Sequence, residues 1–180
     1  GNIWMFSPQN KLTPAPSSTS QYRKARKKLI AYNRALRDGS EVFYKSPDDL
    51  AYFLRKISLD LQKSNLRLED HIRENSSRLW DNGADDVFYY QQGKLYGYYL
   101  LLKALGYDYK DIIVTADAYP LWTKLLKALE DAAALEPAVI RNGEPASLTA
   151  PNHLYPLGYN TLKAALIAQK ISSRLQTQGK

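Results

Sequence analysis

The stretch from Asp85 to Gly106, DDVFYYQQGKLYGYYLLLKALG, constrains this chain more than any other. Between Asp85 and Tyr107 lie six of the chain's fourteen tyrosines, together with the run Leu100-Leu101-Leu102. The segment is apolar or aromatic on nearly every side. That pattern predicts a helix enclosed by other helices, since a surface helix keeps one polar face. Val87, Tyr90, Leu95, Tyr98, Leu101, Leu102 and Leu105 trace one face, and Phe88, Tyr89, Tyr96 and Tyr99 add bulk elsewhere. A β-hairpin turning at Gln91-Gln92-Gly93 is the alternative, because Tyr, Val and Phe favour strands. The lack of strict alternation, and helix signals at both flanks, favour the helix.

Asp85 or Asp86 is suited to cap the start of this helix, and Gly106 to stop it in the left-handed conformation. Gly93 and Gly97 lie one turn apart. Each costs about 1 kcal/mol relative to alanine inside a helix, so the spacing predicts a neighbouring helix packed closely against them.

Other helices follow on either side. Ser18 or Ser20 can cap one that runs to about Asp38-Gly39, with Tyr22, Ala25, Leu29, Tyr32 and Leu36 as a packing seam. Its outer face holds the densest basic patch of the chain, Arg23, Lys24, Arg26, Lys27 and Lys28, continued by Arg34 and Arg37. Ser46-Pro47-Asp48-Asp49 combines a cap, a proline for the first turn and two carboxylates for the dipole. The helix it opens is expected to reach about Trp80. Its seam is Leu50, Leu54, Ile57, Leu61, Ser64, Leu68, His71 or Ile72, Asn75 and Leu79.

Asp81-Asn82-Gly83 turns the chain into the Tyr-rich helix. A short turn from Asp108 to Ile113 follows, then a helix over about 116–135 with Leu121, Trp122, Leu125, Leu126 and Leu129 inward and Pro120 in or near its first turn. Residues 137–152 read as a long connection, functional or merely covering. The last helix starts near His153 and runs to about Arg174, with Leu157, Leu162, Ala165, Leu166, Ala168 and Ile171 available to pack. Its small residues are expected to approach Gly93 and Gly97.

The fold class expected is therefore all-α: a roughly five-helix, mostly antiparallel bundle around the central Tyr/Leu-rich helix. Residues 1–17 form an irregular arm anchored by Trp4 and Phe6, 18–176 one helical domain, and 177–180 a polar tail. The opening Gly1-Asn2-Ile3-Trp4 reads as trimmed, and no signal peptide is visible there.

Composition narrows the chemistry. The chain has no cysteine, which excludes disulfides, thiol catalysis and cysteine-ligated zinc. Two histidines, His71 and His153, argue against a protein-built transition-metal site, and no cofactor is expected. No apolar run approaches the roughly 20 residues of a membrane span. The net charge of +7 serves solubility and suits an anionic partner. The chain lacks a phosphate-binding glycine loop, HExxH and GxSxG. Adjacent Asp85 and Asp86 diverge around a helix, so they do not form a catalytic dyad by spacing. Asn152 and His153, at a helix start after a long loop, are the candidate polar site, with Asp85, Asp86 and Tyr89 as its other members. That site requires the side chains to converge on one pocket. Asn75-Ser76-Ser77 fits the glycosylation pattern.

Several segments together resemble one family of Gram-negative bacterial proteins, domain of unknown function 2333. Asp85-Asp86-Val87-Phe88-Tyr89, then Leu101-Leu102-Lys103-Ala104 and Asp108-Tyr109, is similar to the family's DDVFYEARG, leucine-rich turn and acidic-aromatic pair. Phe43-Tyr44 with Asp49-Leu50 resembles its FYxRxDNL element, and Asn142-Gly143 and Asn152-His153 resemble its NG and ANH elements. Asn2, Trp4 and Ser17-Ser18 with Tyr22 resemble its NxW and PSSExxY region. The chain departs from the pattern at Gln91-Gln92 and in a loop poorer in glycine. The resemblance implies an inner-membrane anchor elsewhere in a larger protein, with this domain on the periplasmic side. It implies no activity. The reading it favours is a non-enzymatic envelope domain that binds protein partners, with an anionic lipid surface or a second copy as further partners. A nucleic-acid partner ranks last. The alternative is a small-ligand-binding protein or hydrolytic enzyme with its site near Asn152 and His153.

Overall fold

The computed structural model describes residues 17–75, 83–137, 140, 142 and 152–178, and the chain divides into two units, 1–44 and 45–180. Among the described residues all regular structure is helical. The helices are α1 (Ser18–Asp38), α2 (Pro47–Asn75), α3 (Ala84–Asp108), α4 (Lys110–Thr115), α5 (Tyr119–Ala133) and α6 (Leu154–Gln178). The hairpin alternative is overturned, because Gln91, Gln92 and Gly93 lie inside α3. Trp4 and Phe6, the Asp81-Asn82 turn, Leu79 and Trp80, Ser76-Ser77, most of the 137–152 connection and the last two residues lie outside the described residues.

In the first unit α1 is capped by Ser17, one or three residues before the expected caps; its side chain accepts from Ser20 N–H at 3.3 Å. Gly39, at φ 76°, closes the helix in the left-handed conformation that glycine takes without a Cβ clash. The expected packing seam is not used: no described residue of α1 is buried, and Tyr22 and Leu29 stand largely in solvent.

The second unit opens on α2 where its start signal predicts. Ser46 Oγ accepts from Asp48 N–H at 3.2 Å, and Asp48 and Asp49 fill the first turn. The seam from Leu50 to Ile72 is buried as its spacing requires, with Ala51, Ser58 and Asn65 alongside. Helix α6 covers it. The hydroxyl of Ser58 donates to Ala165 C=O at 2.8 Å, and that of Ser172 donates to Ala51 C=O at 2.7 Å. A Cβ on Gly158 would sit 3.2 Å from Asn65 Oδ1 and Leu68 Cδ2. The partners 51 with 172, 58 with 165, and 65 and 68 with 158 step in opposite senses along the two helices. Small residues of α6 thus admit α2, not the glycines of α3.

Helix α6 has the deepest burial. Leu154, Leu157, Ala164, Ala165, Ala168, Ile171 and Leu175 have no exposed surface, although Leu162 and Leu166, expected to pack, face solvent. It packs against α2 and α5 and touches α3. Helix α5 contributes Trp122, Leu125, Ala128, Leu129 and Ala132, with Pro120 in its first turn as expected. Between α4 and α5 the chain turns through Asp117, at φ 47°, a left-handed conformation that aspartate tolerates better than most residues. Arg174 of α6 donates to both the backbone and the side chain of Asp117.

The Tyr-rich helix is not enclosed. Helix α3 buries one stripe, Ala84, Phe88, Gln91, Leu95 and Leu102, flanked by half-buried Tyr98 and Tyr99. Gly106 does not stop it: the helix runs on to Asp108, and Gly39 is the one described glycine with positive φ. Gly106 instead admits an indole, since an added Cβ would lie 2.6 Å from Trp122 Nε1. The close neighbour expected at Gly93 and Gly97 is not there among the described residues: nothing lies within 4 Å of a Cβ built on either.

Candidate functional site

Two features of α3 bear on function, its outer face and the groove it forms with α2. At 3.6 residues per turn, Gly93, Gly97, Leu100 and Ala104 fall on one line opposite the buried stripe. Tyr89, Tyr96 and Tyr107 flank that line on one side, and Tyr90 and Leu101 on the other. All nine are exposed. The two apolar faces oppose each other, so the helix looks uniformly apolar in sequence while only one face is covered.

Several rings on or beside this surface are held in place. Tyr96 stacks on Tyr99 with centroids 6.5 Å apart, and Tyr99 Oη donates to Glu130 Oε1 at 3.1 Å. Phe88, in the core, meets Tyr89 edge-to-face at 5.5 Å. The ammonium of Lys94 lies 5.8 Å from the Tyr90 ring centre. Lys103 Nζ donates to Tyr99 Oη at 3.3 Å, and this bond raises the lysine pKa above its ordinary value.

The groove between α2 and α3 is a cleft of about 490 Å³ lined by residues that include Ser64, Arg67, His71, Glu74, Asp86 and Tyr90. Polar bonds tie the two helices beside it. Asp60 Oδ2 accepts from Lys94 Nζ and from Tyr98 Oη, both at 2.8 Å, and Lys94 Nζ also donates to Ser64 Oγ at 2.8 Å. Burial pushes the Asp60 carboxyl up, but the bonds from Lys94 and Tyr98 outweigh it and hold the pKa below the usual carboxylate value. Burial raises the Tyr98 phenol well above its ordinary pKa, and the bond to Asp60 adds to the rise. Sequence reading missed this network. Its only signal was a lysine inside an apolar run, Lys94, and an aspartate beside the α2 seam, Asp60.

The sequence-predicted site residues do not converge on that cleft. Asp86 lines it; Asp85, Tyr89, Asn152 and His153 are not among the lining residues. Asp85 and Asp86 sit exposed in the first turn of α3, whose N-cap is Gly83 with no side-chain cap bond. They therefore favour the helix through its dipole and do not serve as caps. Tyr89 belongs to the exposed face. Asn152 is buried, and its side chain accepts from the N–H groups of Leu154 at 2.9 Å and Tyr155 at 3.2 Å, capping α6. Its amide donates to Asn142 Oδ1 at 2.7 Å, and Asn142 donates to Ile72 C=O at 3.1 Å. The two asparagines, joined also by an isolated β-bridge, link the start of α6 to the end of α2. His153 is half-buried beside them. Arg23, Lys24, Arg26, Lys27 and Lys28 are exposed on α1.

Among the described residues no three His, Asp or Glu side chains are grouped to hold a metal ion, and no helix is long and apolar enough to cross a membrane. Compared with family models, curated proteins and solved structures, the chain matches none.

Proposed function

We propose that residues 45–180 form a mostly antiparallel helical bundle that works as a non-enzymatic protein-interaction domain, with a helix of a partner protein docked on the exposed face of α3. The observation that carries this reading is the extent of that face. Tyr96 is 52% exposed and Tyr107 77%, with Tyr89 and Tyr90 between. At about 200 Å² per ring these four contribute roughly 500 Å². Leu100, Leu101 and the glycine and alanine backbone raise the total to about 700 Å², close to the roughly 800 Å² each partner gives a standard interface. Monomers rarely expose so large a contiguous apolar patch. The open line at Gly93 and Gly97 suits a helix, whose backbone can approach there without a Cβ in the way.

The family resemblance supports a cell-envelope setting, with this domain carried on the periplasmic side by a larger membrane-anchored protein. The alternative, a ligand or hydrolytic site near Asn152 and His153, draws less support, because Asn152 Oδ1 caps α6 and its amide nitrogen donates to Asn142.

The test is the size of the complex that the protein forms in its own cells. A Tyr96→Lys/Leu100→Lys variant keeps every buried contact and should stay folded by circular dichroism. It should migrate as a smaller species than wild type after gentle solubilisation. An unchanged size with the fold intact would remove the α3 face from the account.

A further inference from the structure

Helix α1 is built differently from the rest of the chain. Over Ser18–Asp38 it carries seven basic residues and one acidic residue, Asp38, so this one helix accounts for nearly all of the chain's net +7. Its apolar residues Tyr22, Ala25, Leu29, Tyr32 and Leu36 fall within an arc of about 80° at 3.6 residues per turn; Arg26, Lys28 and Arg37 border that arc, and Arg23, Lys24, Lys27 and Arg34 lie on the far side with Ile30, Ala31 and Ala35. A helix with that division normally buries its apolar stripe. Here no described residue of α1 is buried: Leu29 is 61% and Tyr22 77% exposed. Both ends are nonetheless firmly made. Ser17 caps the start, and Gly39 with Ser40 closes the finish through bonds from Ser40 to Asp38 and to Ala35 C=O.

We infer that α1 is a membrane-surface helix that lies in the interface of a bilayer containing anionic phospholipid, its stripe among the upper acyl chains and its basic flanks at the headgroup phosphates. Charge complementarity selects the occupant. Five cations within six positions, Arg23 to Lys28, face an anionic surface favourably. Long stems let Arg26, Lys28 and Arg37, which border the stripe, reach the headgroups, and the cations on the far side add their longer-range attraction to the surface. An anionic lipid interface takes both faces of the helix at once, as interfacial helices do. A nucleic acid would neutralise the charges and leave Tyr22, Leu29 and Tyr32 in water. This inference concerns residues 18–38 and stands apart from the α3 docking face.

The test is co-sedimentation of the 180-residue chain with vesicles of phosphatidylcholine containing one third phosphatidylglycerol, against vesicles of phosphatidylcholine alone. Wild type should bind the anionic vesicles and not the neutral ones. Arg26→Gln and Lys28→Gln, beside the stripe, should each lower partitioning by about fivefold, and Arg23→Gln, Lys24→Gln and Lys27→Gln, on the far side, should each lower it by less. A Tyr22→Gln/Leu29→Gln variant, which keeps every charge, should lose most of the binding that survives at high salt. All these positions are exposed, so the variants should retain the helical circular dichroism of wild type. The inference is overturned by failure of wild type to bind anionic vesicles. It is equally overturned if the stripe variant binds as well as wild type while duplex DNA competes the protein off the vesicles, which is the behaviour of a simple polycation.

Discussion

Three glycines of α3 look alike in sequence and should respond oppositely to the same substitution. Gly93 and Gly97 have open space where a Cβ would go, so alanine there gains helix propensity with no steric cost. Each replacement should stabilise the protein by about 1 kcal/mol. The two sites are i, i+4 neighbours, so the double variant should gain about 2 kcal/mol plus or minus the coupling that adjacent sites show. At Gly106 the new methyl would meet Trp122 at 2.6 Å from Nε1 and 3.3 Å from Cε2. Trp122 is 3% exposed and walled in by the core, so its rigid indole has nowhere to swing. Overpacking of this kind costs about 1–3 kcal/mol, which exceeds the propensity gain, and Gly106→Ala should be destabilising on balance. Urea unfolding of the three single variants, followed by circular dichroism, reads the signs directly. Midpoints for Gly93→Ala and Gly97→Ala should rise with unchanged slope, and the midpoint for Gly106→Ala should fall. A fall at Gly93 or Gly97 would refute the reasoning, because it would mean that something already packs on that face in the isolated protein.

Other substitutions probe the core and the polar links. Phe88→Ala removes the largest side chain with no exposed surface and should cost about 3–5 kcal/mol in the same denaturation assay. Asn152→Ala removes the cap of α6 and strands the buried Asn142 oxygen; a loss of about 2 kcal/mol is expected, with faster amide exchange in the first turn of α6. The Asp60 pKa is depressed in the folded protein, so this carboxylate contributes stability that is present above the unfolded aspartate value of about 3.9 and lost as pH falls through the folded value. Stability of Asp60→Asn measured against pH should accordingly be flatter than wild type through that acidic window, and parallel curves would remove Asp60 from the acid response.

The second unit was legible where polarity differed sharply between faces. On α2 charged residues separate the continuous stripe from the sparser exposed row of Tyr52, Leu59 and Leu66, and Leu50 to Ile72 was readable from spacing alone. On α3 that contrast is missing. Leu95 and Leu102 on the covered side and Leu100 and Leu101 on the open side are the same residue type, so periodicity reports two apolar faces and cannot say which has a partner. The glycines were unreadable for a related reason: Gly106 and Gly97 differ only in whether Trp122 stands opposite, a long-range fact. The α1 seam illustrates the converse, since a good stripe specifies a capacity to pack and not a neighbour. Asn152 was recognised as a polar residue at a helix start. That its oxygen caps α6 while its amide N–H₂ pairs with Asn142, ten residues away, is a long-range fact; the sequence marked Asn142 only within an Asn-Gly pair. The Asp60–Lys94–Tyr98 network was missed because its members sit on two helices, and nothing local pairs an aspartate beside one seam with a lysine and a tyrosine of the other.

The docking role of α3 is tested most directly by placing a photo-crosslinking amino acid, one position at a time, at Tyr89, Tyr96, Leu100 and Tyr107, with exposed Tyr52 and Leu59 on α2 as controls, in the protein expressed in its own cells. The account predicts that the four α3 positions give one shared adduct, joined to a helical segment of the partner, and that the two α2 positions do not. Adducts of equal yield from both helices, or none from α3, would contradict it.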